Sequence, residues 1–392
     1  MKKRIDSIAD CIGKKIQKGL KDDYLGLYSG EFGLLLFLFY YARYTGDKKF
    51  SCLAESYAET LLERLVKDIN THTFSGGLSG VLYLFAFLRE NNFIDIDVSN
   101  MQPEFNLYLV NKMRYDIQVQ NYDYMHGALG VGLLFLKSGT NPEQIQELID
   151  FLYNTAEKDS VTGIFKWKFL IDPEKNAWGY NIALSHGMAG IVIFLSRVVT
   201  SGYCDSKVME MLHGAINYIL SQQIDFHQFG SFFPNQSLEN KPSFIAKSRL
   251  AWCYGDLGIA MSLWLAGKAI RNMEWQDKGL ACLLSSTQRL SLTDNYVKDA
   301  GICHGSAGIA MIYNRMYLET KRTEFKDSVQ YWIDRTLDFA HFEDGLAGYK
   351  THYQDGLVCN YSLLMGIAGV GLVLLSYLED DKQIWDEMLL IS

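Results

Sequence analysis

An all-α fold, with a ring of buried helices inside a ring of half-exposed ones, is what this sequence predicts, and three observations carry it. A Gly-x-x-Gly step followed by an apolar run occurs seven times. Amphipathic stretches lie between the copies. The runs that follow the glycines are apolar nearly all round, as a helix covered on every side must be. The chain has 392 residues, of which 48% are hydrophobic and only five are proline, enough to bury a large core. With no Ser/Pro/Gly linker, it reads as one continuous body over 1–392.

The copies begin at Gly30 (GEFGLLLFLFYYA), Gly77 (GLSGVLYLFAFL), Gly127 (GALGVGLLFL), Gly187 (GMAGIVIFL), Gly255 (GDLGIAMSLWLAG), Gly305 (GSAGIAMIY) and Gly366 (GIAGVGLVLLSYL). Their starts lie 47 to 68 residues apart, room for two helices with connections in each unit. Between them, Phe50, Ala54, Tyr57, Ala58, Leu61, Leu62 and Leu65 share one helical face, and Glu55, Glu59, Glu63 and Lys67 lie away from it. Val208, Leu212, Ala215, Ile216 and Ile219 make the same stripe before the fifth copy. These are the outer helices. Glycines at the head of an inner helix serve either a tight turn or a close backbone approach that leaves helix N-terminal N–H groups free near the axis. Seven heads pointing to one end would rim a cavity.

Three segments depart from the pattern. Val161–Leu170 has strand-like aromatic and β-branched content ahead of Asp172 and Pro173, which predicts a small β-containing insertion around 157–180. Phe226–Phe244, with Pro234 and Pro242, reads as a long ordered loop. Gly356–Leu378 carries no charge and is about long enough to span a bilayer, but its four glycines and polar Asn360, Ser362 and Ser376 make it a buried helix.

Charge and cysteine content exclude several functions. The net charge is −8, with no basic cluster beyond the first few residues, so nucleic acid is not a partner. Met1–Asp10 mixes Lys2, Lys3 and Arg4 with Asp6 and Asp10 and no apolar run follows, so no secretory signal is present and a cytoplasmic, non-membrane-spanning protein is expected. Seven scattered cysteines make no disulfide framework, which leaves some of them available as ligands or nucleophiles.

The copies also align chemistry-bearing residues. Cys253 and Cys303 stand two positions before Gly255 and Gly305, so the repeat register makes them equivalent on neighbouring inner helices. With His304 they form a two-thiolate, one-imidazole set suited to zinc, and three protein ligands leave a fourth position open, the mark of a catalytic site. His126, His186 and His304 all stand immediately before the first glycine of their copies, which makes that position site-lining.

SHGMAG (Ser185–Gly190), RLAWCYGDLG (Arg249–Gly258) and ICHGSAG (Ile302–Gly308), with the seven glycine steps, resemble the lanthionine synthetase C-like proteins over essentially the whole chain. The resemblance implies an α/α toroid of seven inner and seven outer helices. It also implies a cyclase that adds peptide cysteine thiols across dehydroalanine or dehydrobutyrine to form lanthionine or methyllanthionine. It places zinc on Cys253, Cys303 and His304, a catalytic histidine at His186 and a catalytic aspartate at Asp123 in YDYMHG. Arg249 and Tyr254 match the residues that flank the first zinc cysteine. His126, where the third copy departs from the family pattern, is kept as a site-lining residue only. With no kinase-like or lyase-like region, the resemblance implies a stand-alone cyclase acting on a dehydrated precursor peptide with a leader. A separate dehydratase, and an exporter complex that could hold it at a membrane, are the implied partners.

This chemistry suits the residues. Zinc lowers the pKa of a bound thiol, and conjugate addition needs a thiolate. The enolate that forms must be stabilised and protonated; His186 is the candidate acid, Asp123 orients it or takes up a proton, and Arg249 holds the site by ion pairing. Sequence leaves open whether His186 or Tyr254 delivers the proton. Two rivals remain. A thiol- or glutathione-binding zinc scaffold would share the fold without the cyclase activity. An α/α-barrel glycoside hydrolase would need opposed carboxylates, for which Asp123 and Asp256 are the nominees.

Overall fold

The computed structural model describes residues 1–19, 24–68, 71–95, 102–172, 174–240, 247–354, 356–379 and 384–392. The first half of the chain runs α1 (Lys2–Gln17), α2 (Phe32–Thr45), α3 (Lys48–Asp68), α4 (Leu78–Glu90), α5 (Gln102–Gln118), α6 (Ala128–Ser138) and α7 (Pro142–Thr155). Two hairpins follow, β1 (Glu157–Asp159) with β2 (Ile164–Lys166), and β3 (Phe169–Asp172) with β4 (Ala177–Gly179). The second half comprises α8 (Met188–Thr200), α9 (Ser206–Ser221), the four-residue α10 (Phe226–Phe229), α11 (Asp256–Ile270), α12 (Met273–Ser286), α13 (Ser306–Thr320) and α14 (Thr323–Asp338). It ends with the hairpin β5 (Thr351–Tyr353) and β6 (Gly356–Val358), then α15 (Ile367–Glu379).

A helix follows each glycine step: α2, α4, α6, α8, α11, α13 and α15. They are buried as their sequences demand; every residue of α2 from Phe32 to Ala42 is buried, as is every residue of α15 from Ile367 to Ser376. The helices between bury one stripe. In α14 it is Phe325, Ser328, Val329, Trp332, Ile333 and Thr336, the spacing of a one-sided helix. In α3 the expected face is buried except for Leu62, which is half-buried, and Glu55, Glu59 and Glu63 are exposed.

The chain forms two compact units, Met1–Asn106 with Val297–Leu389, and Leu107–Tyr296 with Leu390–Ser392. The first holds α1–α4 and α13–α15. Buried Glu31 meets Lys15 and Arg64, and Arg315 pairs with Asp386 through two hydrogen bonds of 2.8 and 2.6 Å. The second holds α6–α12 and the first two hairpins. Its buried Asp256 pairs with Arg289 (2.9 Å) and accepts the Phe232 and Phe233 N–H groups, while Arg289 also reaches Asn295 and the Ser248 carbonyl.

The glycine steps are set by the turn before each helix. In the fourth copy the Asn181 side chain accepts the Ala183 N–H (2.9 Å) and its carbonyl accepts the Met188 N–H (2.7 Å). A Cβ on Gly187 would collide with that carbonyl, and one on Gly190 would stand 2.8 Å from the Leu184 carbonyl. The bond from the residue after the glycine to the carbonyl six residues before it recurs in the first, second, third, sixth and seventh copies. The expectation of free N–H groups at these heads is therefore corrected for that position: its N–H is spent on the turn, because the turn must close before the helix can start.

Backbone bonds also join neighbouring turns at the position two before the glycine. In the first unit, Cys303 N–H donates to the Leu364 carbonyl (3.0 Å), Leu364 to Tyr28 (3.0 Å) and Tyr28 to Ser75 (2.8 Å). In the second, Ser185 donates to Cys253 (3.2 Å). The apolar segment from Gly356 resolves into β6, a turn and the 13-residue α15, about 20 Å long and too short to cross a bilayer. No helix among the described residues is long and apolar enough to cross a membrane. The loop expected over 226–244 contains α10 and a short 3-10 turn at Leu238–Asn240, and its part beyond 240 lies outside the described residues.

Candidate active site

In the second unit, the turns of the third and fourth copies bring Asp123 to His186. One carboxylate oxygen, Oδ1, accepts the N–H groups of Met125 (2.7 Å) and His126 (2.8 Å), which fixes the carboxylate in the turn. The other, Oδ2, lies 2.6 Å from His186 Nδ1. Burial pushes the His186 imidazole down, but the hydrogen bond and charge of Asp123, with the charge of Cys253, outweigh it and raise its pKa above the ordinary value. When protonated, such an imidazole carries its second proton on Nε2, with Nδ1 engaged by the carboxylate.

Two aromatic groups flank it. The His126 ring stacks on it at 5.5 Å between centroids and 15° between planes, and the Tyr254 ring stands 6.4 Å away, tilted by 47°. Tyr254 Oη accepts from Asn181 Nδ2 (3.3 Å), so the residue that closes the fourth turn also holds the tyrosine. Although His126 keeps an exposed surface, desolvation by the protein around its ring lowers its pKa and His186 acts in the same direction, against the pull of Asp123.

Asp123, His186 and Tyr254 line a cavity of about 900 Å³ in this unit. Its wall includes the β3–β4 hairpin, whose Leu170, Ile171 and Trp178 are each more than two-fifths exposed, and the side-chain amides of Asn235, Gln236 and Asn240. The β content expected around 157–180 is thus two hairpins, and the second walls the site.

Of the three residues expected to hold a metal, Cys303 and His304 belong to the first unit and Cys253 to the second. Cys253 is buried and the other two are half-buried. The Cys253 carbonyl accepts both the N–H and the hydroxyl of Ser185, each at 3.2 Å, which ties it to the residue before His186. None of the seven cysteines forms a disulfide; Cys282 is buried with its thiol pushed well up by desolvation, and it makes a 3.9 Å contact to the Asp256 carbonyl.

Two expectations need correction. The Arg249 guanidinium makes no ion pair among the described residues; what the residue contributes is backbone, its N–H donating to Asn235 Oδ1 (3.2 Å) and its carbonyl closing on Gly255. Asp256, nominated to oppose Asp123, is wholly buried and paired with Arg289, so the paired-carboxylate hydrolase fails. Sequence reading missed Asn181, which holds Tyr254. Its signal was available: Asn121, Asn181, Asp299 and Asn360 all stand six residues before the first glycine of their copies.

The chain is similar to the nisin biosynthesis protein NisC of Lactococcus lactis subsp. lactis, with 26% identity over 328 residues that cover 76% of this chain and 75% of the relative. Among solved structures it is similar to nisin cyclase, with a TM-score of 0.78 and 22% identity over 100% of this chain and 98% of that one, a likeness that shows the α/α toroid fold. The family described as lanthionine synthetase C-like protein matches residues 22–390. Seven glycine-headed turns, the Cys–Cys–His group and this match over nearly the whole length agree: the chain belongs to the lanthionine synthetase C-like proteins.

Proposed function

We propose that the chain, as one toroid over 1–392, is a zinc-dependent lanthipeptide cyclase that joins peptide cysteines to dehydroalanine or dehydrobutyrine as thioether rings. The carrying observation is the 2.6 Å contact of His186 with Asp123 at the wall of a 900 Å³ cavity, a half-buried acid facing room for a peptide. The names of its relatives, a nisin biosynthesis protein and a nisin cyclase, support the same reading.

Two thiolates and an imidazole are a soft donor set that fits zinc, so Cys253, Cys303 and His304 would hold it. When bound, it supplies a lowered thiol pKa and hence a thiolate at neutral pH. The chain's own groups do the rest. Attack of sulfur on the β-carbon of the dehydro residue forms the S–C bond and sends the π pair to an enolate. His186, protonated because Asp123 supports its charge, gives the proton to the α-carbon. Asp123 keeps Nδ1 engaged, so that Nε2 carries the mobile proton. The hairpin and the cavity amides exclude water and hold the peptide around the reacting pair.

The proposed substrate is a dehydrated precursor peptide with a leader, supplied by a separate dehydratase, with an exporter complex downstream. A cytoplasmic setting accords with seven cysteines that form no disulfide. His186→Asn tests the reading: it should keep about one zinc per chain and keep thiol binding, yet lose ring formation by roughly 10²- to 10⁴-fold. A thiol-binding scaffold would leave this variant like wild type in every assay. Wild-type cyclisation removes His186 from the mechanism, and lost zinc makes it a ligand.

A further inference from the structure

We propose that His126 is a positioning residue for His186, keeping the acid's imidazole flat so that Nδ1 stays on Asp123 and Nε2 faces the cavity. This rests on His186 being the acid.

Both histidines stand immediately before the first glycine, one in the third copy and one in the fourth, and their rings lie nearly parallel, 5.5 Å apart and 15° out of plane. The backbone of His126 is fixed on both sides. Its N–H donates to Asp123 Oδ1 (2.8 Å), and its carbonyl accepts from Asn121 Nδ2 (3.2 Å). Its ring makes no hydrogen bond among the described residues, although the residue is exposed. A ring with a rigid backbone and no hydrogen-bonded partner is held in place by what it stacks on, and it holds that group in return.

His186 needs the support. A single hydrogen bond at Nδ1 fixes one atom of the imidazole and leaves the ring free to rock about it, because the terminal torsion of a histidine has a broad minimum. Tyr254 is tilted and cannot lie flat on the imidazole. The His126 ring can. The stacked His126 ring offers a protonated His186 an aromatic face. Asp123 therefore acts twice, orienting the acid with one oxygen and anchoring the stacking residue with the other.

The experiment uses the zinc-loaded chain carrying His126→Ala, His126→Leu or His126→Phe. One readout is the low-field proton resonance of His186 Nδ1–H in its bond to the carboxylate, assigned by its disappearance in His186→Asn. It should stay sharp in wild type and His126→Phe and broaden by exchange in His126→Ala and His126→Leu. The other is ring formation on a peptide with one dehydroalanine and one cysteine. There kcat should fall roughly 3- to 10-fold in the Ala and Leu variants, the factor that loss of an aromatic pair represents. KM should hold within about twofold, and Phe should restore kcat. His126→Leu fills the space without a flat face and carries the test if the Ala variant does not fold. A sharp resonance or wild-type kcat in the Ala or Leu variant overturns the proposal, as does a Phe variant as slow as Leu. Failure here with His186→Asn inactive breaks this inference alone; an active His186→Asn breaks the reading beneath it.

Discussion

The same turn is used for different ends in the two units. In the second, the position before the first glycine carries His126, His186 and Tyr254; His186 and Tyr254 line the cavity beside Asp123, and His126 stacks on His186. In the first, that position carries Ser29, Gly76, His304 and Met365, and among them only His304 is a proposed metal ligand. The first unit invests instead in backbone, with three consecutive hydrogen bonds from Cys303 through Leu364 and Tyr28 to Ser75. One scaffold position thus tolerates almost any side chain because the turn is closed by main-chain groups and glycine. Chemistry can be placed there without disturbing the fold.

That contrast can be broken at its strongest point by Cys303→Ala. The metal and the activity should both vanish while the helical circular dichroism stays near wild type, since the Cys303 N–H, not its thiol, joins the neighbouring turn. Full zinc in the variant would sink the ligand assignment.

Next in size is the anchor of the second unit. Replacing Arg289 by Met leaves the buried Asp256 carboxylate without its cation and should cost about 3–5 kcal/mol in denaturant unfolding. A loss under about 1 kcal/mol would show that the two backbone N–H groups suffice. Trp178→Ala, on the exposed hairpin, should leave stability within about 0.5 kcal/mol and act on KM for peptide, because it lines the cavity without touching the acid pair.

A smaller effect concerns pH. The folded pKa of His186 is raised, so the Asp123–His186 pair stabilises fully below the ordinary imidazole value near ~6.5, and this contribution is lost as pH rises through the raised value. Melting curves of wild type and Asp123→Asn should converge as pH rises across that window; a gap that is constant with pH would refute the linkage. Smallest of all, Cys52→Ala should change neither zinc content nor cyclisation, because that thiol is exposed on α3, away from every turn.

The heads were legible because their glycines are dictated by nearby backbone, such as the Asn181 carbonyl that Gly187 must clear, and such constraints repeat at fixed spacing. The register then placed Cys253 and Cys303 at equivalent positions, and the three histidines followed. Asp256 was misread because its partner, Arg289, lies 33 residues away with no periodicity to announce it. The role of the β3–β4 hairpin was hidden for a similar reason. Strand content was visible in 161–170, but Leu170 and Trp178 become a cavity wall only through their pairing and their approach to Tyr180 and Asn240. Arg249 shows the limit of a motif: its residue type suggested an ion pair, and its backbone does the structural work.

The bond from Leu364 to Tyr28 makes the last copy a neighbour of the first across 336 residues of chain. Closing a loop of that length costs roughly 5 kcal/mol of chain entropy, a debt that no partial chain can recover. During synthesis the first turn must wait for the seventh before its backbone is satisfied. A chain that stops before Leu364 keeps an open edge at Tyr28, so truncated forms should be sticky and short-lived, unlike open solenoids, which can lose a terminal repeat and still fold.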